Sequence, residues 1–422
     1  MNHDVVVVGG NRTPFAKSGG PLREATNHDL LTAALEGLVA RFGLAGTRAG
    51  EVAGGAVLKH PRDFNLTREA VLSSSLAPQT PACDLQQACA TGLETTMYIA
   101  NKIALGQISH GIAAGADTAS DAPISVSDPL RRILLEASAA RSTKARLAAL
   151  ARIRPSHLAP QAPRVEEPRT GLSMGEHQAI TTERWQVGRE EQDAIALASH
   201  RNLAAAWDRG FFDDLVTPFL GLTRDAILRP DTTLEALGRL RPVFGGENGT
   251  MTAGNSTALS DGAATVLLAD SAWADAQGLP SLARVVDAEV AAVDHPGGAD
   301  LLLAPVAAAG RLLARQRMAA GDLELVEIHE AFAATVVATR KAWLDDAYCR
   351  AVGLDGALGA IDDERLNITG SSLAVGHPFA ATGARLVPTL AKLLHARGTG
   401  ARGMISVCAA GGQGIVAILE AV

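Results

Sequence analysis

Four side chains in this sequence are best placed for nucleophilic and proton-transfer chemistry. Cys89 lies in "DLQQACATGLE", just ahead of the helical pattern "ATGLETTMYIANKIALG". A cysteine at a helix start feels the positive end of the dipole, which lowers its pKa and favours the thiolate. From this stretch alone a packing cysteine is as good a reading, because free cysteines are among the most buried residues. His377 stands between Gly376 and Pro378 in "GSSLAVGHPFAATGAR". Such a rigid turn can aim an imidazole, whose ordinary pKa suits proton transfer near neutrality, although a hydrogen-bonded loop histidine would look the same. Cys408 follows the strand-like "MISV" and precedes "AAGGQG". There backbone N–H groups could cradle a carbonyl oxygen beside a thiol, and the plainer alternative is a tight hairpin with an inert cysteine. His329 ends the strand-like run in "VEIHEAFAA", the place where sites collect in α/β proteins. Ala333 stands where HExxH needs its second histidine, so no zinc site is expected.

To hold these residues, the chain needs a scaffold that alternates strand and helix. Residues 5–8, 111–115 and 265–268 read as strands and 29–41 as a helix, the pattern of an α/β fold with buried sheets. After about residue 276 the alternation resumes, with "LARVVDAEV" as strand, "ADLLLAPVAAAGRLLARQ" as helix and "GMISVCAAGGQGIVAIL" as two strands about a Gly-rich turn. Two similar halves are therefore expected, 1–121 with 248–275 and then 276–422. Between them, 122–247 is rich in proline and helical patterns and reads as an inserted, mainly helical lid. Within the lid, Arg131, Arg132, Arg141, Lys144, Arg146, Arg152 and Arg154 interleave with Leu134, Leu135, Leu147, Leu150 and Ile153. That is an amphipathic basic segment suited to an anionic bilayer or a partner subunit, unless it is only a solvated helix face. The stretch around Asn255 and Asp261 reads as a tight turn or as backbone that cradles a ligand tail.

Length and composition narrow the field. At 422 residues the chain exceeds what one core usually supports, so coupled domains are expected. A net charge of −7 argues against general nucleic-acid binding. The four cysteines form no CxxC pair, which suggests neither a disulfide framework nor a metal site and fits a reducing cytoplasm. "GxGxxG" is not completed after the first valine run, so a dinucleotide site is not expected. No apolar stretch reaches the roughly 18 residues of a membrane span.

Taken together, "QQACATGLE", "GTMTAGNSTALSDGAA", "HEAF", "GHPFAATG" and "CAAGGQG" stand in the order and approximate spacing of the thiolase family, and the chain resembles that family over essentially its whole length. The resemblance implies a thiolase fold: a duplicated five-layered αβαβα core with a loop domain over the CoA channel. It implies that Cys89 attacks the carbonyl of a 3-ketoacyl-CoA, that His377 is its base, and that Cys408 exchanges the proton of the acetyl-CoA carbanion. Two oxyanion sites follow from the same resemblance, one from the backbone N–H groups of Cys89 and Ala410, the other from His377 and His329. Many thiolases carry asparagine where His329 stands and glycine where Ala410 stands. Ser173, Met174 and Thr257 match CoA-contacting places, with Ser173 where histidine is frequent.

No cofactor or metal is implied, coenzyme A being a substrate. The histidine of "HEAF" and the basic segment make the chain most similar to the β-subunit branch of the trifunctional fatty-acid oxidation complex. This implies a homodimer or dimer of dimers, a hydratase/dehydrogenase α-subunit as partner, and peripheral membrane contact through 130–152. A degradative 3-ketoacyl-CoA thiolase is the leading expectation. Its alternatives are a biosynthetic acetoacetyl-CoA thiolase, a decarboxylating ketosynthase, which Cys408 opposes, and a non-catalytic acyl-CoA-binding scaffold.

Overall fold

The computed structural model describes residues 3–422. The opening valine run becomes β1 (Val5–Arg12), buried along its whole length, as a continuous apolar run in a covered sheet should be. The first half adds β2 (Val52–Gly54), β3 (Ala82–Asp84), β4 (His110–Thr118) and β5 (Ser260–Asp270). The second half contributes β6 (Ala283–Ala292), β7 (Leu325–Ile328), β8 (Arg402–Ala409) and β9 (Gln413–Ala421). The helices that cover them are α1 (Asn27–Phe42), α2 (Leu66–Leu72), α3 (Thr91–Ala104), α4 (Asp128–Ala139), α5 (Thr143–Leu150), α6 (Met174–Arg184) and α7 (Arg189–Asp208). They continue as α8 (Ala304–Gln316), α9 (Ala333–Leu344), the short α10 (Ser372–Val375) and α11 (Ala381–Arg397).

Strand order shows the duplication. The first half runs β1-β5-β4-β2-β3 and the second β6-β9-β8-β7. In each, the first two strands of that order are antiparallel, as are the next two, and the following pair is parallel. Leu366, bridged in parallel to Val326, takes the place that β3 holds in the first half. The halves join edge to edge only where Val6 pairs with Arg284 and Val7 with Ala283. Both faces of both halves are covered. α1 and α2 cover the outside of the first half, α8 and α9 the outside of the second, and α3 and α11 pack together between the two. Three buried apolar clusters fill the spaces between layers, the middle one built from α3, α11 and strands of both halves.

The crossing of α3 and α11 decides what the site looks like. A Cβ on Gly92 would sit 2.4 Å from the Ala380 carbonyl oxygen, and one on Gly383 would sit 2.3 Å from the Leu93 nitrogen. These two glycines let the N-terminal ends of the central helices touch backbone to backbone. Each end carries one of the residues of interest, Cys89 before α3 and His377 before α11.

The basic segment folds differently from a single amphipathic helix. A break at 140–142 separates α4 from α5, and Arg152 pairs with Glu136 at 2.8 Å to tie them together. The face turned inward is Leu130, Ile133 and Ala137, while Leu134, Leu135 and Leu147 of the expected apolar stripe are exposed. The stripe expected from Leu134, Leu135 and Leu147 thus faces outward, and Leu130, which the sequence reading left out, lies on the buried side with Ser127 as the helix cap.

Candidate active site

Cys89 is presented by a tight elbow. Ala88 takes a left-handed φ of 46°, a conformation that costs about 1–2 kcal/mol without glycine. Thr91 holds it there, its hydroxyl donating to the Ala88 carbonyl at 2.7 Å and accepting the Gln87 N–H at 2.9 Å. Cys89 sits half-buried at the head of α3, with the backbone N–H groups of Ala410 and of Cys89 itself near enough to its sulfur to favour the thiolate. The expectation of a thiolate is corrected here. Removal from water, helped by the carboxylate of Asp117, pushes the thiol up to about 12, and the two N–H bonds lower it by less. In the free protein Cys89 is a neutral thiol.

His377 is fully enclosed by the turn ahead of α11. Its N–H donates to Ser260 Oγ at 3.1 Å, its Nδ1 lies 2.6 Å from Thr382 Oγ1, and Phe379 closes on the ring edge at 5.2 Å. The turn is pinned to the first half by Asp117, whose carboxylate accepts the N–H groups of Val57, Leu58 and Ala380 at 2.8–3.1 Å. Burial, with Arg385 nearby, lowers the His377 pKa to about 3, so the ring is neutral at physiological pH. Among the described residues no hydrogen bond joins Cys89 to His377.

Cys408 is the second-to-last residue of β8 and is buried. Burial and the proximity of Cys89 raise its thiol pKa above the ordinary value, so it too holds its proton. The β8–β9 register leaves Ala410, Gly411 and Gly412 as the turn, with φ of 82° and 67° at the glycines. Glu167 Oε1 accepts the Gly411 N–H at 2.6 Å, which fixes the turn and leaves the Ala410 N–H aimed at Cys89.

His329 follows β7, fully buried, with its ring 4.1 Å from that of His377. Its Nδ1 lies 2.8 Å from Ser372 Oγ and its Nε2 has no protein partner. Burial and the neighbouring His377 and Arg385 lower its pKa well below the ordinary imidazole value. Cys89, Cys408 and Ala410 thus lie together, His329 lies beside His377, and the contact of Gly92 with Ala380 sets the head of α3 against the turn that follows His377.

The expected CoA contacts are less telling. Ser173 caps α6, its hydroxyl accepting the Glu176 N–H at 3.3 Å and donating to the Glu176 carboxylate at 2.7 Å. Met174 packs against the outer core of the second half, and the Thr257 hydroxyl donates to the Ala331 carbonyl at 3.0 Å. Asn255 and Asp261 have structural partners: Asn255 bonds Thr252, Asp193 and Thr250, and Asp261 bonds Thr118 and Ser120. Sequence reading passed over Asp117, Glu167, Ser372, Thr382 and Arg385. An arginine amid the apolar positions of α11 was the one available signal, since a buried charge needs partners.

Comparison with known proteins decides the family. The family model described as "Thiolase, N-terminal domain" matches residues 5–272, and "Thiolase, C-terminal domain" matches 279–421. The chain belongs to the thiolase family. As a thiolase it is an acyltransferase enzyme, and its relatives agree. It is 38% identical over 423 residues to a "3-ketoacyl-CoA thiolase" of Yersinia pestis, covering 99% of this chain and 96% of the relative, and equally so to one of Yersinia pseudotuberculosis. Among solved structures, Bacillus anthracis acetyl-CoA acetyltransferase superimposes with a TM-score of 0.82 at 28% identity, covering 100% of this thiolase and 99% of that chain. Human mitochondrial 3-ketoacyl-CoA thiolase in complex with CoA does so at 0.82 and 27%, covering 100% and 98%.

Proposed function

We propose that this thiolase cleaves 3-ketoacyl-CoA to acetyl-CoA and a shortened acyl-CoA through an acyl group carried on Cys89, in the degradative direction of fatty-acid β-oxidation. One observation carries the reading. The Ala410 amide of the turn that follows Cys408 is near enough to the Cys89 thiol to act on its titration, and Cys89 is near enough to act on that of Cys408, so nucleophile, oxyanion donor and second thiol converge.

The chemistry follows from the protonation states. Cys89 begins as a thiol and His377 as a free base, so the proton passes from sulfur to His377 as sulfur attacks the C3 ketone. Their contact belongs to the substrate complex, where catalytic hydrogen bonds tighten. The ketone oxygen gains negative charge, met by the N–H groups of Cys89 and Ala410. The C2–C3 bond then breaks, leaving the acyl group on Cys89 while the electron pair departs as the acetyl-CoA enolate. His329, beside His377, faces that enolate oxygen, and Cys408 protonates the carbon. After acetyl-CoA leaves, the CoA thiol gives its proton to the Cys408 thiolate and attacks the acyl carbonyl. Cys89 departs and recovers its proton from His377. No step calls for a cofactor, CoA being a substrate.

The biosynthetic reading, condensation of two acetyl-CoA, uses the same residues in reverse. A thiolysis assay across 3-ketoacyl-CoAs of short to long chain separates the two. Turnover rising with chain length is expected, and turnover confined to acetoacetyl-CoA overturns the degradative reading.

The α4–α5 hairpin supports a peripheral role at an anionic membrane in the branch with an α-subunit partner. Arg131 and Arg132 share its surface with exposed Leu134, Leu135 and Leu147. No helix among the described residues is long and apolar enough to cross a membrane. Replacing Arg131, Arg132, Arg141 and Lys144 by Gln should remove about 1 kcal/mol of attraction per charge to vesicles rich in phosphatidylserine. Cosedimentation should fall at least tenfold, and undiminished cosedimentation would return the hairpin to a solvated face.

A further inference from the structure

We infer that His377 and His329 are held as opposite neutral tautomers by two different hydroxyls, Thr382 on one ring and Ser372 with Arg385 on the other, and that this splits their work into proton acceptor and proton donor. The two rings lie 4.1 Å apart and chemically alike, so nothing in the imidazoles themselves assigns them different tasks. Their Nδ1 partners do.

Ser372 Oγ accepts a hydrogen bond from Arg385 Nη2 at 3.0 Å, and a guanidinium only donates. The hydroxyl proton therefore points elsewhere. Its other hydrogen-bond neighbour among the described residues is His329 Nδ1 at 2.8 Å. Ser372 is fully buried, and a buried hydroxyl proton without an acceptor costs about 1–3 kcal/mol. Ser372 accordingly donates to Nδ1, and a neutral ring that accepts at Nδ1 carries its proton on Nε2. That Nε2 is buried and unpartnered, so it is a free N–H donor.

The other ring is set the opposite way. Thr382 Oγ1 donates to the Pro378 carbonyl one helical turn back, at 3.2 Å. Its lone pair then accepts the Nδ1–H of His377 at 2.6 Å, leaving Nε2 of His377 unprotonated. Arg385 remains cationic, although burial lowers it to about 10. One ring can take a proton from a thiol, and its neighbour can only offer one to an oxygen. Ser372, Thr382 and Arg385 are positioning residues.

What the two nitrogens do rests on the thiolase reading, but the tautomers can be read in the free protein. Long-range proton–nitrogen correlation spectra of 15N-histidine protein, assigned with His329→Gln and His377→Gln, should show protonated Nε2 for His329 and protonated Nδ1 for His377. In Ser372→Ala the His329 pattern should be lost and kcat should fall about a hundredfold with KM little changed. Ser372→Thr should restore both. The same tautomer on both rings, or a kcat loss in Ser372→Ala with His329 signals unmoved, overturns the proposal. Opposite tautomers in a protein without thiolysis would uphold it and sink the functional reading, and thiolysis with matching tautomers would do the reverse.

Discussion

Cys89→Ala should lose thiolysis by roughly 10^4-fold or more, the size of effect that follows deletion of a covalent nucleophile. The fold should survive. Cys89 is half-buried at a helix start, so its truncation should cost about 1 kcal/mol or less and leave the melting temperature within a few degrees. Steady-state assay and thermal melting on the same sample check both halves of this expectation. The same variant tests the protonation state. Because burial raises the Cys89 pKa to about 12, the difference in thiolate absorbance between the protein and Cys89→Ala should be absent at neutral pH. It should grow only as pH climbs well above 9. A thiolate signal that persists down to pH 6 would mean that the helix dipole outweighs burial after all.

Cys408→Ala should separate the two half-reactions. A lost acid/base group costs roughly 10^2–10^4 in rate, and here the full cost falls on the carbon–carbon step. Exchange of the acetyl-CoA methyl protons with deuterated solvent, followed by NMR, should fall by that factor. Acyl transfer from a simple acyl-CoA to Cys89 should fall much less, because there Cys408 only returns a proton to the CoA thiolate, a good leaving group, and no proton moves at carbon. Equal loss in both measurements would place Cys408 in the packing of the turn and not in the chemistry. Its environment favours the first outcome, since a thiol held above its ordinary pKa keeps the proton that an enolate needs.

The strands were legible where a strand covered on both faces writes itself as an apolar run, as in the four valines that open β1. Cys89, His377 and Cys408 stood out through small neighbours and turn residues, and it was their common order with "HEAF" that turned separate guesses into one site. The protonation states were not legible. The helix dipole at Cys89 follows from local sequence, whereas the larger desolvation arises only when the folded chain encloses the sulfur, and the Ala410 amide that partly offsets it comes from more than 300 positions away. The same holds for the histidine pair. Nothing local to "HEAF" or "GHP" says which nitrogen carries a proton, because Ser372, Thr382 and Arg385 reach the rings only once α10 and α11 are in place.

The central claim is that Cys89 carries the acyl group, and mass spectrometry of the protein mixed with a 3-ketoacyl-CoA in the absence of free CoA tests it most directly. One acyl adduct per chain is expected, mapped to the peptide that contains Cys89 and formed together with one equivalent of acetyl-CoA. No adduct alongside normal steady-state thiolysis, or an adduct mapped to Cys408, would contradict it.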